Sequence, residues 1–226
     1  MRKTTMFFML ALAAAWCLGG CSSDTTAPND PVPSLTNRQV AGQSGFFAVA
    51  LVQVAPVSLN YTGSKIAAEG EYQFTFAEGD PVQGTVNLQF RLGGADGDLV
   101  EFGAADWARA FTAAGSPLAV TVVEGTEPWL LTFNLVSDID RTPNPDTATV
   151  SGEGTLVMGS YSAAWTLEGF VVAAGDDTWP AAGTLMFTTQ GKTATVTFDG
   201  DHLATVTIGD ATYTLNLNNG ELTEVP

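Results

Sequence analysis

In 226 residues the chain carries 24 Asp and Glu against eight Lys and Arg, a net charge of −16, so phosphate-rich partners are repelled and nucleic acid is excluded as a ligand. With one histidine and two cysteines it lacks the Cys and His complement of a structural zinc site.

The first element is an export signal. Arg2 and Lys3 precede the uncharged run Met6 to Leu18, which ends in Gly19 and Gly20, the basic, apolar and small-residue regions of such a peptide. Thirteen apolar residues fall short of the roughly twenty that cross a bilayer. The tetrapeptide Leu18-Gly19-Gly20-Cys21 follows directly, and in it the chain resembles bacterial lipoproteins, whose lipobox sets an apolar residue three before the cysteine with small residues between. The resemblance implies cleavage between Gly20 and Cys21, a diacylglycerol on the Cys21 thiol and an acylated new amino terminus. It also implies an outer-membrane destination, since Ser22 rather than an aspartate follows the cysteine. Cys21 is thus the expected lipidation site and the membrane an expected partner through the anchor. Cys17 is lost with the signal, which leaves the folded part no disulfide.

Residues 1–20 therefore read as signal peptide, 21–43 as a lipidated tether and 44–226 as one β domain. The tether is rich in Ser, Thr, Asn and Asp with prolines at 28, 31 and 33, a composition that favours extended chain. Removing Arg2 and Lys3 leaves six basic residues against 24 acidic ones, a balance of −18 that keeps a tethered domain off anionic head groups.

Beyond the tether, Ser44 to Leu59 is apolar without alternation and is expected as a strand covered on both faces; a buried helix fits almost as well. Period-two alternation then predicts half-buried strands: Tyr72, Phe74 and Phe76; Val86, Leu88, Phe90 and Leu92; Trp129, Leu131, Phe133 and Leu135; Tyr161, Ala163, Trp165 and Leu167. Phe102 to Gly115 is alanine-rich, with Trp107 and Phe111 four apart and a glycine stop, and is predicted to be the one short helix. Gly183 to Leu222 reads as a four-stranded meander, threonine-rich on one face, with turns at Gln-Gly, Asp-Gly-Asp-His and Gly-Asp. The expected fold is all-β: an antiparallel meander of ten to twelve strands curled into a barrel or half-barrel around the short helix, with a two-layer sandwich as the alternative.

Chemistry-bearing residues are sparse. His202, the only histidine, lies in a predicted hairpin beside two aspartates and reads as solvated rather than as a general base. No Gly-x-Ser-x-Gly elbow is present, so an enzyme is disfavoured. Glu69 and Glu71 share a strand face about 7 Å apart, a glycosidase-like separation, on what reads as the wet side of the sheet. Oxygen-rich loops suggest calcium: Asp96, Asp98 and Glu101; Asp138, Asp140 and Asp146; Asp176 and Asp177; Asp199 and Asp201. The Asp138, Asp140 and Asp146 set is the leading metal candidate, and Trp179, in a loop between strands, the leading ligand contact. Three functions are compatible with these features: a non-catalytic binding or structural domain on a lipid anchor, a carrier of an apolar ligand in a half-barrel cavity, and a calcium-dependent glycan-binding or glycan-active protein.

Overall fold

The structure, a computed structural model, describes residues 32–60, 71–92, 107–122, 126–143, 145–175 and 179–226. Thirteen antiparallel strands form one sheet. Strand β1 (Glu71–Thr75), β3 (Thr85–Leu92), β4 (Trp107–Ala114), β6 (Trp129–Asp140), β7 (Thr147–Met158), β8 (Tyr161–Ala173), β9 (Ala182–Thr189), β10 (Lys192–Phe198), β11 (Leu203–Ile208), β12 (Ala211–Asn216) and β13 (Leu222–Glu224) follow one another across it. Two short strands, β2 (Val82–Gln83) and β5 (Leu118–Val120), extend it beside the start of β6. The sheet is not closed: β1 and β13 form its two edges. The all-β expectation holds, and the predicted final meander is present as β9 to β12. The count of thirteen exceeds the expected ten to twelve through pieces of two or three residues.

Helix α1 (Asn37–Val54) and the 3-10 turn Ala55–Asn60 are where a two-faced strand was the first expectation, and the helical alternative is the correct one. Twelve of its eighteen residues are buried, on every side, which is why no amphipathic period appears: a helix apolar all round belongs inside. The helix opens with a capping box, Thr36 Oγ1 accepting from Gln39 N (3.2 Å) and Gln39 Oε1 accepting from Thr36 N (2.8 Å). Its first turns take residues 37–43, which the composition had assigned to the tether. Asn37–Leu59 is also, among the described residues, the one helix long and apolar enough to cross a membrane, and 78% of its most apolar window is buried within the domain.

Where a short helix was expected, Trp107–Ala114 is strand β4; residues 102–106 lie outside the described residues. Alanine propensity is a weak local preference, and here Ala108 and Ala110 pack inward in register with Ile139 and Ser137 of β6, so pairing overrides it.

The helix packs on β9 to β12 and reaches β2, and the 3-10 turn continues over β6, β7 and β8. Phe47, fully buried, lies 5.1 Å from Trp165 and 5.9 Å from Phe187 between ring centroids. Its neighbour Phe46 meets Trp129 of β6 edge-on at 6.5 Å. The same Phe46 ring comes within 3.2 Å of where a Cβ on Gly220, after β12, would sit. Strands β6 and β12 are six steps apart, about 29 Å in a flat sheet. One ring reaches both places because the sheet is curled over the helix.

Two devices allow that curl. Bulges interrupt the pairing of β7 with β8 near Ser151 and of β8 with β9 after Glu168, each adding local twist. Gly152 and Gly154 sit in the middle of β7, and Gly154 lies in register between Phe133 and Trp165. A Cβ there would fall 2.7 Å from Trp165 Cζ2 and 2.0 Å from the Thr132 carbonyl oxygen, so the indole lies across bare backbone.

Gly154→Ala is expected to cost about 3 kcal/mol or more, since backbone as well as the indole must move. Phe47→Ala is expected to cost about 3–5 kcal/mol through the cavity it leaves. Urea denaturation of each purified variant against wild type, at unchanged slope, measures both.

Candidate functional site

In an antiparallel meander alternate turns fall at alternate ends. The turns at 159–160, 190–191 and 209–210 therefore share one end of the sheet, and residues 141–143, 145–146, 174–175, 179–181, 199–202 and 217–221 share the other. The second end holds most of the residues that the sequence marks as candidates.

Asp138 and Asp140 point outward from the last turn of alternation in β6, either side of buried Ile139. The register sets Arg109 of β4 opposite Asp138, and the guanidinium grips the carboxylate at both oxygens, Nε to Oδ1 at 2.5 Å and Nη2 to Oδ2 at 3.0 Å. That hydrogen bond, with the attraction between the charges, raises the Arg109 pKa. Asp140 Oδ1 accepts from Thr142 Oγ1 (2.7 Å) and Thr142 N (2.9 Å), which holds its carboxyl below the usual 3.8. Asp146 Oδ2 accepts from Arg141 Nε at 3.2 Å. The three acids thus have three separate partners. Among the described residues no group of three or more His, Cys, Asp or Glu gathers, and a calcium ion on this set would compete with Arg109 and Arg141.

His202 Nδ1 contacts the carboxylate of Asp201, which also accepts from the His202 backbone N at 2.6 Å. These bonds, the backbone one first, lower the Asp201 pKa. The imidazole side chain is 43% exposed, and its backbone carbonyl accepts from Leu217 N, so the residue joins two adjacent loops. Trp179 is half-buried and packs against the core in the loop between β8 and β9. The next residue, Pro180, is buried and its carbonyl accepts from Gly200 N at 2.9 Å, which ties this loop to the Asp199–His202 turn. Trp129 packs half-buried on Phe46 and Trp165 is buried, as strand alternation implied. Cys21, Ser22, Glu69, Asp96, Asp98, Glu101, Asp176, Asp177 and the side chains of Glu71 and Trp107 lie outside the described residues.

The threonine rows are real. Thr184, Thr197, Thr205, Thr214 and Thr223 stand in register across β9 to β13, and Thr195, Thr207 and Thr212 form a second row. Together they make an uncharged outer face on a strongly acidic chain, with side chains suited to a half-exposed pleated surface.

One feature of the opposite end was not read from the sequence. Residues 33–36, leading into α1, are clasped by the β9–β10 turn. Gln190, itself left-handed at φ 48°, donates Nε2 to the Pro33 carbonyl (3.0 Å) and accepts from Leu35 N at Oε1 (2.7 Å). Lys192 Nζ donates to the Leu35 carbonyl, and Tyr161 Oη to that of Pro33 at 3.4 Å. The capping pattern Thr36-x-x-Gln39 was the signal in the sequence that ordered chain begins here.

Comparison with protein-family models, with curated proteins and with solved structures finds no match to this chain.

With their carboxyls lowered in the folded state, Asp140 and Asp201 contribute stability that is fully present above their ordinary value of 3.8 and lost as the pH falls through the lowered values. A variant carrying both Asp140→Asn and Asp201→Asn should therefore lose less stability than wild type between about pH 5 and about pH 2. Melting temperatures across that range check it; parallel curves would contradict the assignment.

Proposed function

We propose that the chain is an envelope-anchored lipoprotein whose β domain is a non-catalytic binding or structural module, moored to the membrane by lipid on Cys21. The observation that carries this reading is the position of Leu18-Gly19-Gly20-Cys21 at the end of a charged-then-apolar leader.

The packing of the domain supports a module of this kind over a carrier of apolar ligands. In a half-barrel carrier the concave side of the sheet houses the ligand; here Phe47, Leu51 and Val54 of α1 fill the core, with Phe47 against Trp165 and Phe187. The calcium-dependent glycan reading has less in its favour, since Asp138 and Asp146 are ion-paired with Arg109 and Arg141.

Cys21→Ser tests the proposal. Wild-type protein should sediment with the cell envelope and incorporate an alkyne-tagged fatty acid, while the variant should do neither. Retention of the variant in the envelope, or an unlabelled wild type, would refute it.

A further inference from the structure

We infer that the end of the sheet carrying the turns at 159–160, 190–191 and 209–210 faces the lipid surface, and that the opposite end, with residues 141–143, 145–146, 174–175, 179–181, 199–202 and 217–221, points away from it. The inference rests on the anchor at Cys21 proposed above and adds to it an orientation that the anchor alone does not specify.

Three observations lead to it. First, the point at which the chain leaves the domain is held in place. Pro33 and Leu35 are bound by Gln190, Lys192 and Tyr161, all on or beside the turns of that one end, and Gly209 of the third turn lies against the Asn37 side chain. The leash therefore starts at this end and not at the middle of the sheet. Secondly, the leash is short relative to the domain. Val32 follows Cys21 by eleven positions, which span at most about 40 Å fully drawn out. Strands β6 and β7, at twelve residues each, run about 40 Å from end to end. To bring the far loops onto the head groups, the leash would have to lie along the whole strand length at its limit and forfeit nearly all its conformational freedom. With the clasped end downward no such extension is required. Thirdly, charge works in the same direction. The far end carries Asp140, Asp199, Asp201 and Glu221 at exposed positions, which an anionic membrane surface repels.

The test uses the full lipidated protein reconstituted into phosphatidylcholine vesicles that contain a small fraction of lipid with a nitroxide on its head group. In the processed chain the Cys21 sulfur is a thioether, so a single introduced cysteine carries a fluorophore alone. Asp210→Cys labels the clasped end and Asp199→Cys the far end; both are exposed turn positions, where substitution leaves the core untouched. Nitroxide quenching of the label at 210 is expected to exceed that at 199 several-fold. Equal quenching, which a domain lying on its side would give, or stronger quenching at 199, would overturn the orientation. Failure of the anchor is read separately: if the unsubstituted protein does not float with the vesicles and the maleimide dye reacts with Cys21 itself, the lipoprotein reading falls, and the orientation with it.

Discussion

The packing of a largely buried helix against one face of an open sheet is the constraint on which this molecule depends. No disulfide is available to the folded part, and a sheet with one apolar face is unstable until that face is covered. Helix α1 covers it. Phe47 meets Trp165 and Phe187, and Gly45 lets the helix backbone approach Leu215 of β12, where an added Cβ would lie 3.0 Å from Cδ1. The sheet answers by bending: bulges beside Ser151 and Glu168 and bare backbone at Gly152 and Gly154 bring β6 and the turn after β12 to the two sides of Phe46.

The same helix sets how the domain is held. Because α1 must enter the core at a defined place, the chain before it is drawn along the turns of one sheet end, where Gln190 supplies both a donor and an acceptor to residues 33–35. The two ends of the meander then differ in kind. One is bound to the incoming chain; the other gathers acidic loops that are fastened to one another through Pro180 to Gly200 and His202 to Leu217. Between them lies the outer face, where neutral threonine rows replace the charge carried by the loops.

Electrostatics at the acidic end are local. Arg109 neutralises Asp138 by a two-point grip, a geometry worth more than a single surface contact but still modest at roughly 40% exposure. Asp140 is stabilised as an anion by the side chain and backbone of Thr142, the ordinary way in which an Asx turn satisfies itself, and Asp201 by the backbone and side chain of His202. These acids order their own loops rather than converge on a common centre among the described residues.

From the sequence alone came the alternation of the strands, the hairpin turns at Gln190-Gly191 and Gly209-Asp210, the inward direction of Leu131, Phe133, Trp165 and Val196, and the acidic charge balance, because period-two burial and turn chemistry are local properties written residue by residue. Tertiary structure alone decided the rest. The run from Phe46 to Val52 is apolar throughout, and such a run satisfies a buried helix or a buried strand equally until the surrounding layers choose. The alanines of Trp107–Ala114 favour a helix locally, and only the register with β3 and β6 makes them a strand. Which of the many carboxylates pair, and that residues 33–35 are clasped by residues 128 or more positions away in sequence, depends on contacts that no local pattern encodes.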